Sequence, residues 1–217
     1  MPEINLLDLY PKSKRPIDER SKIITEETRA IARKYGQEFF DGDRIYGYGG
    51  YRYDGRWKPI AQRLRDHYRL ADDARILDIG CAKGFLVHDF AQLMPRAYVA
   101  GLDVSQYAID NSMPEIRANL TVGDAKELPY EDQSFDLVLS INTVHNLPRE
   151  ECARSLREIM RVTRAHAFIT VDAWRTEEEH QRLLKWMLTA YTFMSVPDWE
   201  RFFAEAGYTK DYYWFIP

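Results

Sequence analysis

The segment Arg75-Ile-Leu-Asp-Ile-Gly-Cys-Ala-Lys-Gly84 constrains the fold more than any other. An apolar run ends in an acid, turns on glycines and opens into a helical pattern. Gly80 and Gly84 let the backbone turn sharply and come close to a ligand, and the helix behind them presents free N–H groups. A glycine at a strand-to-helix turn also serves packing alone, so the turn takes its meaning from the strand ends downstream of it.

Three more junctions repeat the pattern. Val99-Ala-Gly-Leu-Asp103-Val-Ser reads as a second buried strand ending in an acid, the position from which a carboxylate takes both hydroxyls of a ribose. Leu120-Thr-Val-Gly-Asp124-Ala125 is a third strand-to-loop junction, and Ser134-Phe-Asp-Leu-Val-Leu-Ser-Ile-Asn142 is a fourth apolar strand led by Asp136. In order and spacing these junctions resemble the class I S-adenosylmethionine-dependent methyltransferase family, from Ile76 to the C-terminus. The resemblance implies a Rossmann-like core and S-adenosyl-L-methionine as cofactor. It places Asp78, Gly80, Cys81, Ala82 and Gly84 around the methionine part, Asp103 and Val104 at the ribose, Asp124 and Ala125 at the adenine, and Asn142 at the end of the fourth strand. Ala82 stands where the family pattern has its middle glycine, which a methyl group tolerates at negative φ. NAD is the rival cofactor, but Asp78 directly before the loop repels a pyrophosphate and suits a ligand carrying an ammonium and a sulfonium.

With 217 residues and 45% hydrophobic content the chain has the length of one domain and enough apolar side chain for a sizeable core. We expect an α/β, doubly wound, mostly parallel sheet over residues 72–217, with residues 1–71 as an N-terminal helical and loop cap of the same domain. Strands are expected at Ala74–Ile79, Ala97–Asp103, Leu120–Val122, Phe135–Ser140, Ala167–Val171 and Lys210–Phe215. Helices are expected at Glu26–Phe40, Trp57–Leu70 and Glu150–Val162. Six strands are one fewer than the family's usual seven. A net charge of −4 argues against a nucleic-acid substrate and leaves small molecules as the expected partners, in a monomer or homodimer. The absence of a leader pattern and of an apolar run of about 18 residues points to a cytoplasmic protein without membrane contact. Cys81 and Cys152 form no metal pattern, and Cys81 reads as a small buried hydrophobe.

The block Asp41-Gly-Asp-Arg-Ile-Tyr-Gly-Tyr-Gly-Gly-Tyr-Arg-Tyr-Asp-Gly-Arg-Trp57 is too rich in glycine for a helix and reads as a lid. Tyr46, Tyr48, Tyr51 and Tyr53 with Arg52 offer aromatic walls, phenolic hydrogen bonds and bidentate anion binding to a substrate. A purely structural use, with tyrosines paving a seam and Arg44, Arg52 and Arg56 in surface ion pairs, competes with it. The block resembles tyrosine–glycine stretches that precede the core in some small bacterial methyltransferases of biosynthetic or surface-polysaccharide clusters.

Methyl transfer is an in-line displacement at a sulfonium carbon, so alignment matters most and a base serves where the acceptor must lose a proton. The segment Ser140-Ile-Asn-Thr-Val-His-Asn-Leu147 comes after the fourth strand and offers Asn142, His145 and Asn146; His145 is the candidate base or, equally, a brace of its loop. Trp174 and Arg175 end the fifth strand, where ligands bind in such sheets. His67, His88, His166 and His180 read as structural. The function expected is methylation of a small anionic metabolite, at oxygen rather than nitrogen. An N-methyltransferase, a non-catalytic cofactor-binding partner of the same fold, and an S-adenosylmethionine enzyme that transfers no methyl are the alternatives.

Overall fold

The computed structural model describes residues 3–11 and 17–217; residues 1–2 and 12–16 of the expected cap lie outside the described residues. The N-terminal part holds α1 (Ile17–Ser21), α2 (Glu26–Ala32), α3 (Gln37–Phe40) and α4 (Lys58–Tyr68). The rest alternates: β1 (Arg75–Ile79), α5 (Phe85–Leu93), β2 (Tyr98–Asp103), α6 (Gln106–Asp110), β3 (Leu120–Val122), β4 (Phe135–Ile141), α7 (Arg149–Val162), β5 (Thr163–Trp174), α8 (Glu177–Trp186), β6 (Met194–Ser195), α9 (Val196–Ala206) and β7 (Asp211–Phe215).

The strands form one sheet in the order β3-β2-β1-β4-β5-β6, with β7 also on β5. All the pairings are parallel, and helices join successive strands except β3 and β4, which a loop connects. The strand order reverses between β1 and β4, and a parallel sheet opens a crevice at the carboxyl ends of the strands on either side of such a reversal. Both faces are covered. Leu77, Ile79 and Val138 face α7 and α9, where Leu156, Ile159, Trp199 and Phe203 are fully buried. Ile76, Leu137 and Leu139 face the opposite core of Ile60, Leu64, Val87 and Phe90. Phe135 and Val138 share a face although three residues apart, because the β4–β5 register shifts between Phe135 and Leu137.

Three elements differ from the sequence expectation. The Glu26–Phe40 helix is broken: α2 starts on a capping box between Thr25 and Thr28 and ends before Tyr35, whose φ of 49° is left-handed. The Ser105 hydroxyl donates to the Tyr35 carbonyl at 2.5 Å, so a tertiary contact holds the break. The sheet has a seventh strand, β6, only two residues long and paired with the end of β5. β5 itself runs on to Trp174, carried by β7 and β6 along its second edge. Residues 3 and 4 cover the outer edge of β7, with the Ile4 N–H donating to the Tyr212 carbonyl at 2.9 Å.

Candidate active site

The glycine loop lies at the reversal point, and its backbone alternates through left-handed conformations at Gly80 (φ 79°), Ala82 (φ 52°) and Gly84 (φ 74°). The negative φ expected at Ala82 is therefore wrong. The Ala82 N–H donates to Asp103 Oδ2 at 2.7 Å. A charge-assisted hydrogen bond contributes about 1.5–3 kcal/mol, enough to offset the ~1–2 kcal/mol that a left-handed alanine costs. Its methyl packs with Phe40 and Ala108. Cys81 turns its side chain away from the loop's open side: its Sγ fills the space that a Cβ on Gly101 would occupy, within the core under the loop. Only its backbone is left for a ligand, and its N–H and that of Gly80 already donate to the Leu102 carbonyl.

Two acids face the loop. Asp103 is buried and accepts from the N–H groups of Ala82 and, at 2.8 Å, Ser105, so each carboxylate oxygen keeps a lone pair for a ligand. Asp78, at the carboxyl end of β1, is 5% exposed and has no hydrogen-bonding partner among the described residues. Burial, with the charge of Asp103 second, pushes its carboxyl up to about 7. A buried acid without a donor is suited to a cationic ligand, and the fit is to an ammonium group. The sign of the shift sets the pH dependence. The folded protein keeps the Asp78 proton where the unfolded chain has lost it, so the ligand-free protein loses stability as pH rises from about 4 through 7. An ammonium ligand needs the ionised form. Calorimetric titration should therefore show S-adenosylmethionine affinity rising about tenfold per pH unit below 7 and levelling above it; a flat profile with Asp78→Asn binding normally would refute the assignment.

At the rim, Val104 is exposed beside Asp103. Asp124 accepts from the Lys126 N–H at 3.0 Å and lies 3.3 Å from its ammonium, while Ala125 packs on the core. Asn142 stands at the end of β4 in a left-handed conformation (φ 52°), its N–H and Oδ1 both bonded to the Thr170 hydroxyl. His145 is 4% exposed, and its Nδ1 accepts the backbone N–H of Asp172 at 3.2 Å. The neutral ring therefore carries its proton on Nε2, 3.8 Å from Asp172 Oδ2, and burial holds the ring's pKa below the ordinary range. Its carbonyl accepts from the N–H groups of Tyr191 and Thr192. Nδ1 accepts from the backbone and Nε2 carries the proton, an arrangement that favours the brace over the base.

The tyrosine block folds over the loop. Tyr51 stacks on Phe85 at 4.7 Å between centroids and lies 4.3 Å from Tyr48. Tyr53 donates to Asp89 at 2.6 Å. Tyr48 is 45% exposed at the rim, whereas burial raises the hydroxyl pKa of Tyr51, with smaller contributions from Tyr48, Tyr10 and Asp78. Tyr46 is half-buried, tied by its N–H to the Asp43 carbonyl. Arg52 is exposed and makes no ion pair among the described residues, because the extended strap alternates Tyr51 and Tyr53 inward with Arg52 and Asp54 outward; the anion-binding role expected of Arg52 is not supported. Sequence reasoning also missed the clamp. Lys83, in the loop, pairs with Asp41 at 2.6 Å; Asp41 also accepts from the Tyr107 hydroxyl at 2.7 Å and from the Tyr51 N–H. A buried lysine inside a glycine loop, with the acidic Asp41-Gly-Asp43 upstream, was the available signal. Asp41→Ala leaves Lys83 buried without its partner, and we expect a loss of about 1–3 kcal/mol in thermal unfolding together with faster cofactor release in stopped-flow measurements.

Trp174 stacks on His180 at 4.1 Å, and Arg175 pairs with Glu3 at 2.6 Å, so Arg175 is engaged with the N-terminal segment. His88 lies between Asp89 and Glu115, and His166 packs on Tyr68.

Residues 76–166 match the family described as "Methyltransferase domain". The tRNA (carboxymethyluridine(34)-5-O)-methyltransferase of Arabidopsis thaliana is 27% identical over 80% of this chain and 41% of its own length. A demethylmenaquinone methyltransferase of Roseiflexus castenholzii is 32% identical over 57% of this chain and 51% of its own. The chain thus spans about half the length of these curated relatives. In fold it is similar to the YcgJ protein of Bacillus subtilis, with a TM-score of 0.54 at 18% identity over 67% of this chain and 66% of that one. The parallel sheet, the glycine loop between two buried acids and these likenesses agree: residues 76–166 form a methyltransferase domain, and the chain around it is similar to class I S-adenosylmethionine-dependent methyltransferases.

Proposed function

We propose that this protein transfers the methyl group of S-adenosylmethionine to a small anionic metabolite, with oxygen the favoured acceptor atom, in a biosynthetic or surface-polysaccharide pathway. The observation that supports the proposal is the aromatic strap, with Tyr51 stacked on Phe85 over the glycine loop and the two acids beneath it, an arrangement suited to a small acceptor. When bound, the cofactor supplies a methyl group activated by a positively charged sulfur. Asp78 would hold its ammonium group and Asp103, with Val104, its ribose, with Asp124 and Ala125 at the adenine. Tyr51, packed on Phe85, helps to exclude water over the loop, with Tyr48 at its rim. Alignment is then the main catalytic contribution of the chain.

His145 braces the turn between β4 and α7 through its bond to Asp172 and its carbonyl bonds to residues 191 and 192. His145→Gln is expected to lower turnover by less than the ~100-fold that loss of a general base costs at minimum, and to leave the pH profile near neutrality unchanged. A neutral limb that disappears in the variant would restore the base.

The Arabidopsis relative is named for a tRNA substrate and for oxygen as the acceptor atom. A net charge of −4 supports a small acceptor over RNA. Among the described residues no helix is long and apolar enough to cross a membrane. The test is transfer of labelled methyl from S-adenosylmethionine into a panel of small hydroxy acids, amino acids and sugar acids, with tRNA in parallel. Label in a small acid supports the proposal. Label in tRNA alone overturns the acceptor class, and cofactor binding without transfer to any acceptor favours the non-catalytic alternative.

A further inference from the structure

A half-buried guanidinium stands beside the cradle. Arg33, in the break between α2 and α3, reaches only the carbonyls of Thr189 and Ala190, at 3.4 and 3.5 Å, the outer limit of hydrogen bonding. Among the described residues no carboxylate lies within ion-pair distance of it. Its guanidinium packs on the Tyr191 ring at 4.0 Å; with Nε and Nη2 turned to the carbonyls, the end formed by Nη1 and the second Nη2 hydrogen is left to fork an oxyanion.

The surroundings converge on the same spot. The Tyr35 hydroxyl is buried beside the Thr189 side chain. Burial pushes its pKa up to about 12 against the Thr189 side chain and the Arg33 charge, which lower it, so this phenol is a neutral donor within electrostatic reach of the guanidinium. The left-handed φ of 49° at Tyr35 aims the ring there, and the Ser105 hydroxyl, two residues beyond Asp103, fixes the bend. Segment 189–192, on which Arg33 rests, is in turn bonded to the His145 carbonyl. Arg33 thus sits between the ribose acid on one side and the turn after β4 on the other, which are the two borders of the methyl-transfer site.

We propose that Arg33, with the Tyr35 hydroxyl, is the oxyanion-binding group of the methyl acceptor site, and that the acceptor carries a carboxylate or phosphate held there. This rests on the proposed methyl transfer to a small anionic acceptor and moves anion recognition from the strap to the α2–α3 break. The hydroxyl of Tyr35 donates to one oxygen, and the guanidinium fork takes the remaining oxygens. The anion is held while the nucleophilic atom, elsewhere on the same molecule, is turned toward the sulfonium carbon.

The test is calorimetric titration of the full chain saturated with S-adenosylhomocysteine, using succinate and inorganic phosphate as separate probes at constant ionic strength. Arg33→Lys, Arg33→Met and Tyr35→Phe are compared with the parent. Saturable binding of one probe, weakened at least tenfold in Arg33→Lys and lost in Arg33→Met, supports the proposal; succinate or phosphate as the responding probe tells carboxylate from phosphate. Binding that is equal in parent and Arg33→Met, or no saturable binding of either probe to the parent, overturns it. Titration of each variant with S-adenosylhomocysteine itself reports on folding: retained affinity shows an intact cradle. Failure of the parent to bind S-adenosylhomocysteine would sink the methyltransferase reading, a result distinct from failure of the Arg33 site.

Discussion

Asp103→Ala is expected to weaken S-adenosylmethionine binding by 100-fold or more, about 3 kcal/mol. Two effects add. The variant loses the acceptor for two ribose hydroxyls, each a charge-assisted hydrogen bond of about 1.5–3 kcal/mol. It also releases the Ala82 N–H, the bond that keeps a non-glycine residue left-handed in the middle of the loop. The effect on stability is smaller, because burial holds the Asp103 pKa above the ordinary carboxylate range even against its two backbone donors. Removing the charge relieves that desolvation while it strands two N–H groups, and we expect a net loss of about 1–2 kcal/mol. Calorimetric titration and thermal unfolding of the same variant separate the two. An unchanged dissociation constant would remove Asp103 from the ribose site.

Gly80→Ala is the second large effect. At φ 79° a Cβ costs ~1–2 kcal/mol of backbone strain, and here it would also meet Thr143, with Oγ1 at 2.0 Å and Cβ at 2.7 Å. Overpacking of that kind costs about 1–3 kcal/mol, so the total approaches a third of the stability of an ordinary domain. The clash moves either the glycine loop or the turn carrying Asn142 and His145, and cofactor binding goes with it. Gly207 provides the internal control: its φ of 76° is nearly the same, but a Cβ there meets nothing within 4 Å. Gly207→Ala should lose the strain alone, about 1 kcal/mol. Thr143→Ala in the Gly80→Ala background should recover only part of the clash, since its Cβ remains. Equal unfolding losses for Gly80→Ala and Gly207→Ala would show that Thr143 yields freely.

The differences between expectation and structure share one cause. Helix spacing runs through Lys34 and Tyr35 without a break signal stronger than Gly36, yet α2 stops there because Ser105, distant in sequence, holds the Tyr35 carbonyl. Ala82 breaks the local rule for left-handed residues because Asp103 supplies a compensating bond. Arg52 and Tyr51 are equal candidates in the strap's sequence; only the path of the strap decides that one faces the cradle and the other solvent. β6 has two residues, below any pattern that periodicity can register, and exists because β5 is already in place to pair with it. Arg33 looks like an ordinary surface arginine in a charged helix until segment 189–192 folds beneath it.

By itself the sequence determined the parallel α/β core and the placing of Asp78, Asp103, Asp124 and the glycine turn at strand ends. These features repeat locally: an apolar strand, a turn residue and an amphipathic helix each read within about ten residues. The tertiary structure decided the rest: which face of the tyrosine strap closes on the cradle, which nitrogen of His145 accepts a hydrogen bond, how deeply Asp78 is buried, and which guanidinium comes to rest on backbone carbonyls instead of an acid. Those outcomes are set by neighbours many tens of residues away, and a side chain's chemistry depends on the burial and charge that such neighbours bring.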